Sequence, residues 1–286
     1  MTAKIIKGLP IANALRDELI PKIEALKAKG VNPKLAVILA GGNEASRVYA
    51  QSKSKVAEKL GIEYQLYEKP DSVTNEELLK LIDELNADPK VHGILVELPL
   101  PKGISKELIM NRLDPKKDAD GVNPVNRGYL LGGQEQLAIV PATPKSCIEL
   151  IVRSGYVLKG AKVALLGRGD TVGRPLASLL LNRDATVTLC HTKTKDVPAV
   201  TKNAEIIVAA AGALHFVKAE WLTAGQVVID VGINALPDGS GISGDVDPKA
   251  AEVVEAISPV PGGVGSLTTT IIMDNLLQAI KLQGLG

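Results

Sequence analysis

The stretch KVALLGRGDTVGRPLASLLLN, residues 162–182, decides the fold. KVALLG (162–167) is an apolar run of strand length, and residues 172–182 repeat their apolar positions at helical spacing. Between them lie Gly167, Gly169 and Gly173. Glycine permits the tight turn after a strand and lets backbone N–H groups approach a pyrophosphate at a helix N-terminus. The usual dinucleotide fingerprint places its third glycine one residue earlier, so the helix is set one residue later here. Further strands follow at ATVTLC (185–190), EIIVAAAG (205–212) and QVVIDVG (226–232). Strand, glycine loop, helix and strand within about 30 residues make a nucleotide-binding βαβ unit. A plain glycine turn has the same composition; the flanking strand and helix favour the nucleotide loop.

The end of the second strand selects the nucleotide. NAD sites place an acid there, to accept from the ribose 2′-hydroxyl. This chain has Cys190-His191-Thr192-Lys193-Thr194-Lys195 and no carboxylate, with Arg168 in the glycine loop itself. Those cations would welcome a 2′-phosphate, so NADP is expected, with NAD as the alternative. A solvated basic loop would read the same way.

The first half also alternates strands and helices. Residues 35–42 (LAVILAGG) and 63–68 read as strands, and 92–101 (HGILVELPLP) as a strand that runs into a proline-bound loop. Residues 44–60 read as a helix stopped by Gly61, and residues 74–86 as a helix capped by Thr74 and Glu77. An earlier helix carries Ile11, Leu15, Leu19, Ile23 and Leu26, with Pro21 a kink site. Residues 113–128 are polar and turn-rich, a functional loop more than a linker. Thr143-Pro144 reads as the start of a helix that ends at Gly155 and joins two domains, and residues 267–282 as a last apolar helix returning to the first. The expected fold class is therefore α/β with two domains: a Rossmann-type NADP-binding domain (144–267) and an α/β domain built from 1–143 and 268–286.

Composition excludes other classes. The 286 residues are 45% apolar with a formal net charge of +1, which argues against a polyanion binder. One Phe, one Trp and five Tyr offer no base-stacking platform. Cys147 and Cys190 have no metal-ligand spacing, no metal is expected, and two thiols fit a reducing, cytoplasmic setting. No signal peptide is read in MTAKIIKGLP, and the longest apolar run, residues 206–214, is too short to span a bilayer.

Three more segments, YAQSKSK (49–55), KKDADG (116–121) and PVPGGVG (259–265), join the glycine loop, HGILVELPLP, TPKSC and VGIN. Together, in order and over nearly the whole chain, they closely resemble the methylenetetrahydrofolate dehydrogenase/cyclohydrolase family. The resemblance implies two steps of one-carbon metabolism. 5,10-Methylenetetrahydrofolate is oxidised with NADP to the methenyl cation, which water then opens to 10-formyltetrahydrofolate. It also implies a cleft between the two domains, the first of which binds folate, and a homodimer, with the tetrahydrofolate derivative and the cofactor as small-molecule ligands; composition gives no sign of a nucleic acid or membrane partner.

Residue by residue, Tyr49 and Lys53 match the family's active-site pair, whose i, i+4 spacing puts both on one helix face. Tyr49 would border the folate ring, and Lys53 would assist water addition and ring opening. Asp120 matches the pterin-binding aspartate, able to accept from two adjacent N–H donors. Pro261, Gly262 and Gly263 match the folate loop, with Leu98 beside the substrate. Gly167, Arg168, Gly169, Gly173, Thr192 and Ile233 match the cofactor positions, and His191 borders them. None of His92, His191 and His215 is expected to be catalytic.

Three departures matter. Gly169 stands where the family usually has Ser, removing a hydroxyl near the cofactor. Ser266 stands in a common Pro position and is expected to loosen the folate loop. Glu97, in LVELPL, stands where Gln is usual beside the lysine. A carboxylate there favours the ammonium form. The expectation is a catalytic-site residue that weakens the cyclohydrolase step or shifts it to higher pH, with a dehydrogenase of weak or absent cyclohydrolase activity as the alternative function. An NADP-dependent dehydrogenase of small acids or amino acids, or a nucleotide sensor, would leave Tyr49, Lys53 and PVPGGVG unexplained.

Overall fold

Strand Lys34–Ala40 is apolar at nearly every position and buried on both faces, as the middle strand of a covered parallel sheet must be. The computed structural model describes residues 2–41 and 44–286, so Gly42, the last residue of the expected LAVILAGG strand, lies outside the described residues. The first half of the chain runs β1 (Lys4–Ile5), α1 (Gly8–Ala28), β2 (Lys34–Ala40), α2 (Glu44–Lys59), β3 (Glu63–Lys69), α3 (Asn75–Ala87), β4 (Gly93–Val96), α4 (Lys106–Arg112) and α5 (Pro124–Leu131). The second half runs α6 (Ala142–Arg153), β5 (Lys162–Leu166), α7 (Gly173–Leu181), β6 (Thr186–Cys190), α8 (Val197–Lys202), β7 (Ile206–Ala209), β8 (Val227–Asp230), β9 (Asn234–Ala235), β10 (Ile242–Ser243), β11 (Ala256–Ile257) and α9 (Gly265–Leu282).

The chain divides into two units, Leu15–Ala142 with Thr269–Gly286, and Met1–Ala14 with Thr143–Thr268. The first holds a parallel sheet in the order β3-β2-β4. Its core joins Ile38, Leu78, Ile82, Ile94 and Ile109 from four elements. Helix α3 begins as expected: Thr74 accepts from the N–H of Glu77, and Glu77 reaches back to the N–H of Thr74. The end of α9 packs here too, Asn275 Nδ2 donating to the carbonyls of Ala119 and Val140.

The second unit holds a parallel sheet in the order β1-β11-β8-β7-β5-β6. From β5 the chain goes outward to β6, then crosses back to β7, so the sheet reverses direction between β5 and β7. Ligands of such sheets bind outside the carboxyl ends of the strands at that reversal. The glycine loop after β5 sits there.

Two expectations shift. The first 14 residues were grouped with the first half, yet β1 pairs with β11, and Ala3 and Ile6 also bond to that segment. Helix α6 starts at Ala142, so Thr143 is inside it rather than its cap. Pro144 still lies in the first turn, where a missing N–H costs nothing. The stretch 92–101 behaves as expected: it is a strand over Gly93–Val96 and then enters a proline-bound loop with a cis Leu98–Pro99 bond. Helix α1 runs through Pro21.

Residues 117–119 lie along β4: Ile94 N–H donates to Lys117 O at 2.6 Å and Ala119 N–H to Ile94 O at 3.0 Å. Lys117 holds this segment in place. Its buried Nζ donates to the carbonyls of Leu85, Asn86 and Asp88 at the end of α3. Those bonds carry a full charge and satisfy the last carbonyls of the helix. Lys117→Met keeps the apolar stem and removes all three donors. The expected cost is about 2–3 kcal/mol, read as a melting temperature lower by roughly 5–10 °C in the unit that unfolds first. An unchanged melting temperature would contradict the anchoring role.

Candidate active site

Tyr49 and Lys53 lie one turn apart on α2. Ala50 and Ala57 are buried, and Tyr64 on β3 donates its hydroxyl to the Ala50 carbonyl at 3.0 Å. Lys53 is 2% exposed, whereas Tyr49 is 45% exposed. The Lys53 ammonium lies 4.1 Å from the Tyr49 ring centroid, a cation–π contact. Opposite it stands Glu97, the residue after β4, whose N–H donates to Ile38 O on β2. Lys53 Nζ donates to Glu97 Oε1 at 2.7 Å and Oε2 at 2.9 Å. Both side chains are almost fully covered. A buried ammonium is tolerated only when paired, and this one has a carboxylate and an aromatic face.

Asp120 follows the segment that lies along β4. It remains partly exposed, and its carboxyl is pushed up to about 7. Loss of hydration is the main cause; the negative charges of Asp118 and Glu97 add to it, and Lys53 opposes them. Asp118 itself is buried and accepts from Asn123 N–H at 2.7 Å and Asn126 Nδ2 at 3.1 Å. Burial raises its pKa against those bonds. Sequence reading passed over Asp118, Asn123 and Asn126, which shape the loop that presents Asp120. A polar loop that folds around a buried carboxylate has the composition of a solvated turn. Leu98 packs on the core of this unit, beside the turn.

The second unit carries the other candidates. Gly167 has φ +119°, and a Cβ there would collide with the Ala210 carbonyl after β7. A Cβ on Gly173 would collide with the Gly167 carbonyl, while the space beside Gly169 is open. Gly167 N–H donates to Cys190 O at 2.9 Å, which sets the glycine loop against the end of β6. This is a cradle that only glycine at 167 and 173 leaves unfilled. Arg168, Thr192, Lys193 and Lys195 are exposed around it, and Ile233 is 65% exposed after β8. The first acid beyond β6, Asp196, caps α8 by accepting from Ala199 N–H. The residues fit a dinucleotide with a charged ribose. The open space at Gly169 would hold a serine, so that departure costs a hydroxyl and no shape.

Pro261, Gly262 and Gly263 form the turn between β11 and α9, with a cis Val260–Pro261 bond. Gly8 N–H donates to Gly262 O at 2.8 Å. A Cβ on Gly263 would lie 2.6 Å from Pro259 O. Ser266 was expected to loosen this turn; instead its N–H donates to Gly263 O at 3.0 Å, a bond proline could not make. His92 accepts from Lys34 N–H, His191 from Lys193 N–H, and His215 bonds Ser243 Oγ.

Two family models match the chain: the catalytic domain of tetrahydrofolate dehydrogenase/cyclohydrolase over residues 6–120, and its NAD(P)-binding domain over residues 141–284. The chain belongs to the tetrahydrofolate dehydrogenase/cyclohydrolase family. It is 54% identical over 285 residues to the bifunctional protein FolD of Heliobacterium modesticaldum, covering 99% of this chain and 98% of that one. The bifunctional FolD enzyme of Campylobacter jejuni has the same fold, with a TM-score of 0.94 and 40% identity over 98% of this chain and 99% of that one. The Trypanosoma brucei methylenetetrahydrofolate dehydrogenase-cyclohydrolase, complexed with NADP cofactor and inhibitor, superposes with a TM-score of 0.91 at 36% identity, over 99% of each chain. Family membership sets aside the small-acid dehydrogenase and the nucleotide sensor.

The Asp120 carboxyl has a pH signature. Folded, it keeps its proton to about pH 7; unfolded, it loses it near 3.8. Between those values the folded chain binds more protons, so the stability present below about pH 4 is lost as pH rises through 7. Asp120→Asn stays neutral throughout. Its melting temperature relative to wild type is expected to rise by several degrees between pH 5 and pH 8. A difference that is the same at both pH values would contradict the raised pKa.

Proposed function

We propose that this chain oxidises 5,10-methylenetetrahydrofolate to 5,10-methenyltetrahydrofolate with NADP and hydrolyses that product to 10-formyltetrahydrofolate. The observation that carries the reading is Lys53: a covered ammonium held by Glu97 and bordered by the exposed Tyr49 ring, beside Asp120. The bifunctional names of its relatives support both steps, and so do not favour a dehydrogenase lacking the second. The earlier expectation that Glu97 weakens ring opening therefore does not stand over the main reading.

When bound, NADP supplies the hydride acceptor. The glycine cradle at Gly167 and Gly173 would hold its pyrophosphate, and Arg168, Thr192, Lys193 and Lys195 would bind the ribose phosphate. Hydride departure from the methylene carbon needs no enzymic acid or base, because the flanking folate nitrogens stabilise the cation. The chain has to hold the rings in register and keep water away. Asp120 accepts from the pterin edge, and the Tyr49 ring and Leu98 border the folate.

In the second step water adds to the bridging carbon and gives up a proton. The bond from that carbon to N5 then breaks as the remaining water proton passes from the new hydroxyl to N5, so the formyl group stays on N10 and one proton is released overall. Lys53 Nζ moves the proton and stabilises charge as the ring opens; Glu97 holds the amine on the reacting carbon. The first unit forms the folate domain and the second the NADP domain. We place the enzyme in the cytoplasm, which its two free buried thiols suit, and infer a homodimer; Leu181 and Leu189, exposed on α7 and the edge strand β6, offer apolar surface for it.

Mixing protein, methylenetetrahydrofolate and NADP, then following NADPH and methenyl absorbance together, separates the two steps. Lys53→Met is expected to lower ring opening by about 100-fold or more while NADPH formation continues and methenyl accumulates. The Lys53→Met, Glu97→Gln double variant removes the unpaired buried carboxylate and is expected to behave alike. Glu97→Gln alone keeps an acceptor for Lys53 and is expected to retain ring opening within about tenfold. Retained ring opening in both lysine variants would contradict the assignment.

A further inference from the structure

Asp230 and Asp245 are buried carboxylates that the reaction does not use, and they interlock beside the cofactor cradle. Asp245 Oδ2 accepts from Ala211 N–H at 2.6 Å and Gly212 N–H at 2.9 Å. Its Oδ1 accepts from Ala213 N–H and from Asn234 Nδ2, both at 2.9 Å. Three successive N–H groups of the loop after β7 therefore converge on one carboxylate. The backbone of Asp245 and Val246 donates in turn to Asp230, which also accepts from Gly232 N–H. There is no room between the two acids for a side chain. A Cβ on Gly232 would strike the Asp245 carboxylate, and a Cβ on Gly244 would strike that of Asp230.

The loop held in this way matters because of its neighbours. It begins at Ala210, whose carbonyl fills the space a Cβ on Gly167 would occupy. Its residues Ala211, Gly212 and Ala213 are exposed at the carboxyl end of β7, at the sheet reversal where a nucleotide binds. Asn234, the fourth donor, directly follows Ile233, the exposed cofactor candidate after β8. One carboxylate thus fixes the loop beside the glycine cradle and the segment after β8.

We infer that Asp245 is a positioning residue for the dinucleotide: it sets the loop at residues 211–213 and the segment at Ile233 in the geometry that receives NADP, without touching the cofactor. The inference rests on the NADP reading above. Asparagine at 245 keeps the size but turns an N–H₂ either toward the Ala211 and Gly212 N–H groups or toward the Ala213 N–H and the Asn234 amide, so two donors lose their acceptor. Ring opening uses Lys53 and no cofactor, and it reports the fold independently.

The test compares wild type, Asp245→Asn and Asn234→Ala, using NADPH fluorescence titration, the NADP KM and kcat of the oxidation, and hydrolysis of methenyltetrahydrofolate without cofactor. Asp245→Asn is expected to weaken NADPH binding by about tenfold or more. The NADP KM should rise in parallel, kcat should change less, and hydrolysis should stay within about twofold of wild type. Asn234→Ala removes one donor and no backbone group; it is expected to weaken NADPH by roughly two- to fivefold, and it carries the test if the first variant does not fold. NADPH affinity unchanged in the folded variants overturns the inference alone. Hydrolysis falling together with NADPH affinity also overturns it, since that marks a merely structural acid. Wild type that binds no NADPH overturns the cofactor reading and the inference with it.

Discussion

The site depends on one buried ion pair. Lys53 brings an ammonium to a place where almost no water reaches, and Glu97 meets it with both carboxylate oxygens. An unpaired charge at such depth would cost several kcal/mol, about 3–5 if one partner of a buried pair were removed. The pair therefore constrains its surroundings. The β2–β4 register must hold Glu97 opposite α2, and α2 must sit so that Tyr49 closes the open side. A single amine placed this way is suited to move one proton at one carbon.

Asp120 answers to the same pair from a third direction. Its position comes from a short segment laid along β4, anchored at one end by Lys117 and at the other by Asp118 with its two asparagine partners. The neighbouring negative charges and the loss of hydration raise its pKa, while the lysine lowers it. Affinity for a ligand with two adjacent N–H donors would then grow as this carboxyl loses its proton. In the proposed reaction, binding at Asp120 and ring opening at Lys53 are thereby electrostatically linked, although different atoms perform them.

Much of this was legible in the sequence, and the reasons for success and failure differ by residue. Gly167 and Gly173 were readable because backbone collisions leave glycine alone at those positions. Tyr49 and Lys53 were readable only through the family resemblance, with which their i, i+4 spacing agrees, and Thr74 with Glu77 from the capping box they form. Strand β1 was not: two residues, Lys4 and Ile5, gain their conformation only by pairing with β11, some 250 positions away in the chain. Asp230 and Asp245 were also hidden. Asp230 ends a stretch that reads only as a strand, Asp245 sits in a glycine-containing stretch with no motif of its own, and only the folded sheet brings the two together. Glu97 was legible as a departure, but whether it faced the lysine required the structure.

The most direct measurement is a crystal structure of the chain with a bound folate analogue. The account predicts the pterin edge on the Asp120 carboxylate, the ring against Tyr49, and Lys53 Nζ within hydrogen-bond reach of a group on the bridging carbon, with Glu97 still holding the amine. A folate bound in contact with neither Lys53 nor Asp120 would contradict it.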